Sequence, residues 1–165
     1  MRSLDEFNAE LIDKHLDTAL ARLTKEDGVL FKFNANERSL SFRLALYLTA
    51  VFPDFDVDCE YNRHHRDDRH RKRLFSRELR AFAPRKVSLA DEDGLTVFPD
   101  IIVHRRETDD NLLVIEIKKT TSLVKETFDL AKLAAYRKEL GYRFAKFIRL
   151  GTGGEAEPIV ENRFI

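Results

Sequence analysis

The chain has almost no cysteine, no net charge and no long apolar run. Each of these shortages removes a class of protein. Cys59 is the single cysteine among 165 residues, so neither an internal disulfide nor a thiolate zinc cluster can form, which suits a reducing cytoplasm. No stretch reaches the length of a membrane span, and the opening MRSLDEFNAELIDKH is amphipathic and charged, without the apolar core of a secretion signal. Internal repeats and low-complexity segments are also missing. A cytoplasmic protein with no membrane partner is expected, folded as one domain over 1–165.

What is present is charge, and it is unevenly spread. Charged residues make up 35% of the chain, with 29 basic against 29 acidic. The window Arg63–Lys86 nevertheless holds ten Lys and Arg against three acids, a net of +7 that the remainder balances. Its start, RHHRDDRHRKR, has no apolar face. It reads either as a solvated loop or as an arm whose Arg63, Arg66, Arg69, Arg71, Lys72 and Arg73 follow nucleic-acid phosphates by releasing counterions. The adjacent His64 and His65, without cysteine, do not suggest zinc.

Hydrophobic periodicity gives the elements. Leu4, Phe7, Leu11, Leu16, Leu20 and Leu23 mark an amphipathic helix over about 3–24, closed by Asp27-Gly28. Leu40, Leu44, Tyr47, Leu48 and Val51 mark a second helix that Pro53 stops, with Asn34 as N-cap and Glu37 in the capping-box position. Phe55, Val57, Cys59 and Tyr61 alternate with Asp56, Asp58, Glu60 and Asn62, the pattern of a half-buried strand with a wet acidic face. Cys59 is expected as a small core residue, and Glu60 as a residue at the rim of any site nearby. FPDIIVHRRETDDNLLVIEIKK reads as a hairpin, followed by a helix over 124–140 with Gly141 at its end. A strand over 142–150 and a short strand or tail after Pro158 complete the chain. A strand–helix–strand step implies a parallel pair, and the whole an α/β sandwich of three-layer type around a mixed sheet.

The hairpin carries the chemistry. If its turn is symmetric about Thr108, Asp100 lies opposite Glu116 and Lys118 falls on the same face. Opposed carboxylates repel, so Lys118 or a divalent cation must offset them. Mg²⁺ takes one or two carboxylates plus water and phosphate oxygens. A nearby lysine can then orient the attacking water and stabilise phosphate charge, the outline of a phosphodiester-hydrolysing site. His104, further along the strand, and Lys119 are expected to be exposed and solvated.

Pro99-Asp100, fifteen intervening residues and Glu116-Ile117-Lys118 resemble the motif of the PD-(D/E)xK, restriction-endonuclease-like nuclease superfamily. The segments NER, VDCEYNR, PDIIVHRR, LLVIEIKK and DLAKLAAYR are similar to those of small bacterial and phage members. The resemblance covers about 34–150 and implies an αβββαβ core. The first helix (1–27) would be an N-terminal extension and 151–165 a C-terminal tail or strand. It further implies Mg²⁺ or Mn²⁺ held by Asp100 and Glu116, with the Ile117 carbonyl as a further donor, Lys118 as catalytic lysine and Glu37 completing the shell. Lys132, Tyr136 and Arg137 on the following helix would approach the phosphate. The expected partner is nucleic acid, in the first place DNA, with a homodimer or a protein partner docking through the first helix. The alternative is a silent module of the same fold that binds nucleic acid or protein without cutting.

Overall fold

Two asparagines set the starts of the long N-terminal helices. In the computed structural model, which describes residues 2–61, 73–74, 95–155 and 157–165, α1 spans Ala9–Glu26 and α3 spans Glu37–Val51. Asn8 Oδ1 accepts from Leu11 N at 2.8 Å and Asn36 Oδ1 from Ser39 N at 2.8 Å, each satisfying an amide that the helix leaves unpaired. The expected helix from Ser3 is therefore split. Ser3 caps a short 3-10 turn over Leu4–Glu6, Phe7 is extended and buried, and α1 begins afresh after Asn8. A five-residue helix, α2 (Gly28–Lys32), follows Asp27 where only a break was expected. The cap of α3 also differs. Asn36, not Asn34, is the N-cap, which puts Glu37 at the first helical position instead of the capping-box position. Asn34 has φ 52, a left-handed conformation, whereas a cap needs the extended backbone that Asn36 has.

Five strands form the main sheet, in the order β1 (Asp56–Cys59), β4 (Ile101–His104), β5 (Asn111–Lys119), β6 (Phe144–Leu150), β7 (Ile159–Phe164). The pairs β1–β4, β4–β5 and β6–β7 are antiparallel, and β5–β6, bridged by α4 (Thr127–Leu140), is parallel. Gly141 ends α4 at φ 69, as its position suggested. β7 adds a full edge strand, so the sheet extends beyond residue 150. β2 (Arg73–Leu74) and β3 (Leu95–Thr96) form a separate two-stranded pair. The arm residues Arg63, Arg66, Arg69, Arg71 and Lys72 lie outside the described residues, as does the side chain of Arg73.

Period two decides what each face of β5 meets. Leu113, Ile115 and Ile117 join Ile101, Val103, Ile148 and Leu150 against α1 and α3. Val114 joins Ile102, Ala145, Phe147, Leu133 and Tyr136 on the side of α4. Helices on both faces of a mixed sheet make this an α/β sandwich. Each fully buried Leu or Ile contributes about 2 kcal/mol. α1 is part of this core, not an appendage. Ile12, Leu16, Ala19, Leu20 and Leu23 are buried, and Asp13 bonds the buried Lys146 on β6 at 2.6 Å. The apolar side of α1 is thus already covered. No helix among the described residues is long and apolar enough to cross a membrane.

The hairpin register matches the expectation at one end only. Ile101 pairs Ile115, Ile102 pairs Val114 and Val103 pairs Leu113, the alignment that a centre at Thr108 requires. His104 then pairs Asn111, one residue off. Leu112 is the extra residue of a β-bulge, and it turns to the same core as Leu113. The turn is closed by Arg105 N to Asp110 O at 3.0 Å and passes through Glu107 at φ 60.

Candidate functional site

Beyond the bulge, the even-numbered residues of β5 from Val114 onward face α4, so Glu116 and Lys118 emerge on the side where α4 presents Asp129 and Lys132. Glu116 is 1% exposed and Lys118 7%. Asp100 falls in a bend just before β4, and its Oδ2 accepts the backbone N–H of Ile117 at 2.7 Å. That bond ties the first acid of the motif to the strand that carries the other two residues. Lys132 Nζ lies 2.6 Å from Glu116 Oε2 and 3.3 Å from Asp129 Oδ1, and Lys118 Nζ lies 2.7 Å from Asp129 Oδ2. The second oxygen of Glu116, Oε1, is buried without a hydrogen-bond partner among the described residues.

Burial dominates the electrostatics. Desolvation pushes the Asp100 carboxyl up to about 6, against the hydrogen bond from Ile117 and the attraction of Lys132. Glu116 is driven well above the usual carboxylate range, again by burial, with Lys132 pulling the other way. Desolvation would lower Lys132, but the charge and hydrogen bond of Glu116 raise it instead, so it stays an ammonium. With Asp129 and Lys118 the place gathers three carboxyl groups and two lysines, a formal count of one negative charge if all five were ionised.

The other expected site residues separate into two groups. Glu37 comes near the cluster from α3, and its Oε1 accepts Lys119 N at 3.0 Å at the end of β5. Ile117 contributes its amide to Asp100 while its side chain enters the opposite core. Lys119 is not a free solvated charge. Its Nζ donates to Asn34 Oδ1 and Ala35 O at 2.9 and 3.0 Å, holding the turn before α3. Asn34 Oδ1 also takes Thr121 and Thr152 hydroxyls, each at 2.9 Å.

Tyr136 and Lys132 are not phosphate-facing as expected. Tyr136 is 0% exposed, edge-on to Tyr142, and its hydroxyl has no hydrogen-bond partner among the described residues. Lys132 is engaged by acids, because positions 129, 132 and 136 share the inward face of α4. Arg137 points away and donates to Ile165 O at 2.6 Å. His104, expected exposed, is 3% exposed and 2.9 Å from Asp58 Oδ2. Glu60, at φ 49, pairs with Arg38 at 2.7 Å, and its amide bonds Pro99 O beside Asp100. Cys59 is partly buried, and burial raises its thiol to about 11, which leaves it unreactive.

Asp129 was missed. Its signal was there: it stands three residues before Lys132 and seven before Tyr136, the spacing of one helix face.

Among the described residues, no group of three or more His, Cys, Asp and Glu side chains is arranged to enclose a metal ion. Two carboxylates, with water and substrate oxygens completing the sphere, are nevertheless what Mg²⁺ or Mn²⁺ accepts, and the partnerless Glu116 Oε1 is a hard donor of the right kind. The residues therefore fit an open, hard-cation site. They do not fit a closed structural one. Comparison with protein-family models, curated proteins and solved structures finds no match to this chain.

Proposed function

We propose that the chain is a metal-dependent nuclease of the PD-(D/E)xK type, hydrolysing phosphodiester bonds of nucleic acid, in the first place DNA. The observation that carries this reading is Glu116, a fully buried acid on a strand buried along most of its length, with one oxygen lacking a partner among the described residues and Asp100 tied alongside. An acid in that setting costs several kcal/mol unless a cation compensates it. With the separate β2–β3 pair set aside, the order α3, β1, β4, β5, α4, β6 is in keeping with the αβββαβ core of that superfamily. In this reading Asp100 and Glu116 hold the ion. When bound, Mg²⁺ or Mn²⁺ polarises water and the phosphate oxygens. Lys118, held by Asp129, stabilises charge on the phosphate and orients the water. Glu37 supports the outer shell from α3. The basic window Arg63–Lys86 supplies attraction for the polyanion.

The test is incubation with linear, circular and branched DNA, and with RNA, in Mg²⁺ or Mn²⁺. Asp100→Ala and Lys118→Ala are expected to lower cleavage by about a hundredfold or more while circular dichroism stays that of the wild type. Cleavage by Asp100→Ala at the wild-type rate would falsify the assignment. The silent binding module is favoured by one observation, the ammonium of Lys132 already seated on Glu116. DNA retention without cleavage in either metal would select it.

A further inference from the structure

The partner of Glu116 is a lysine from another element with a second acid in reach. Lys132 Nζ lies 2.6 Å from Glu116 Oε2, and Asp129 Oδ1, three residues back on the same helix, lies 3.3 Å from it on another side. Asp129 Oδ2 meanwhile lies 2.7 Å from Lys118 Nζ, an ion-pair contact without hydrogen-bond geometry. All four side chains are at most 11% exposed. Water is therefore not the medium that balances their charges, and each carboxylate needs a cation close by. A lysine has a flexible four-carbon stem and three rotatable donors, so it can exchange acceptors without moving its backbone.

We propose that Lys132 is a resident counterion that occupies the charge-compensating place at Glu116, and that a divalent cation binds by displacing its ammonium onto Asp129. The inference rests on the reading of Asp100 and Glu116 as a cation-binding pair. It assigns Lys132 and Asp129 as positioning residues that set the affinity for the metal. Charge balance supports the exchange. Fully ionised, as an incoming dication requires of the acids it takes, Asp100, Glu116 and Asp129 against Lys118 and Lys132 would carry a net of −1. A dication turns this to +1, which one phosphodiester group then neutralises. With Lys132 seated the acids are compensated and the fold is held. Once it is displaced, the same acids are open to the ion.

Mn²⁺ titration by calorimetry of the full chain tests this, using wild type, Lys132→Met, Lys118→Met and Asp129→Asn. Lys132→Met is expected to bind Mn²⁺ about tenfold tighter, and Asp129→Asn, which removes the second acceptor, about tenfold weaker. Lys118→Met deletes the same charge from the cluster without touching Glu116, and it is expected to change affinity by less than about threefold. Equal gains in the two lysine variants would show a diffuse field effect and overturn the proposal. A readout that needs no variant is the Lys132 ammonium resonance of wild-type protein with ¹⁵N-labelled lysine. It is expected to move on adding Mg²⁺, and a stationary signal at saturating metal overturns the displacement. Wild type and Lys132→Met binding Mn²⁺ equally well would remove the counterion and leave the nuclease reading standing. Binding that appears only when Lys132 is replaced would support the counterion and remove metal-dependent hydrolysis from the wild-type chain. Absence of binding in both would overturn the two together.

Discussion

The two ends of β4 both carry acids, yet they solve the problem of negative charge in opposite ways. At the far end, Asp58 Oδ2 takes His104 at 2.9 Å and Arg106 Nε at 2.9 Å, and Asp56 Oδ2 takes the Arg106 amide at 2.9 Å. Burial alone would raise Asp58, but these donors hold it below the usual carboxylate range. At the near end, Asp100 and Glu116 are both pushed upward, and Glu116 keeps an oxygen without a partner among the described residues. One end is a finished set of ion pairs that reaches the surface through Arg106. The other is buried, with Lys132 on one oxygen of Glu116 and the other oxygen unsatisfied, and this contrast separates a structural acid from a candidate ligand.

The contrast can be broken by mutation. The largest effect is expected from Glu116→Ala, which leaves Lys132 in a buried place with Asp129 alone. It should cost about 3 kcal/mol in urea denaturation, against about 1 kcal/mol for Asp58→Ala. Equal losses would mean that the two ends are energetically alike.

Next comes pH. Asp100 holds its proton more tightly folded than unfolded, at about 6 against an ordinary 3.8, so the fold binds the extra proton between those values. Stability from this group is therefore present below about 3.8, falls as pH rises to about 6 and is flat above. The loss should be about 2 kcal/mol, less than the roughly 3 of the full shift because the residue is partly exposed. Asp100→Asn should remove that slope and be the more stable protein at neutral pH. Asp58 has the opposite sign, since its folded value is lowered and its contribution is lost on acidification. Parallel slopes for Asp100→Asn and wild type would refute the difference.

Tyr136→Phe should change stability by less than about 1 kcal/mol, with a gain expected, because the hydroxyl it deletes is buried without a partner. Smallest of all, Arg106→Ala at the half-exposed end should cost about 0.5 kcal/mol and lose even that in 1 M salt.

Much of the site was legible because it rests on period two. Glu116 and Lys118 are placed by strand alternation, and Asp100, in the bend just before β4, follows from the hairpin register at Ile101 and Ile115; both are written in the apolar pattern of IIVH and LLVIEI. What failed depended on direction. Spacing shows that Lys132 and Tyr136 share a face of α4, but not that the face turns inward, so two buried residues were taken for phosphate contacts, and Asp129 beside them went unnoticed. His104 looked exposed because it follows Asp100 on one face of the strand, whereas Asp58, diagonal to it across the β1–β4 pair, draws it in. In NANE both asparagines suit a cap. The spacing to Glu37 favours Asn34, but the left-handed turn at Asn34 decides for Asn36.

The bulge at Leu112 has a further meaning for the life of this hairpin. It takes up the odd residue of the turn before the strands reach Val103 and Leu113, so the alignment of the acids is insulated from the loop that joins them. Lengthening or shortening the segment 105–110 can be absorbed there without shifting Asp100 against Glu116. The turn is thus the place where this chain can vary or accept an inserted reporter, while Asp100 and Glu116 stay in register.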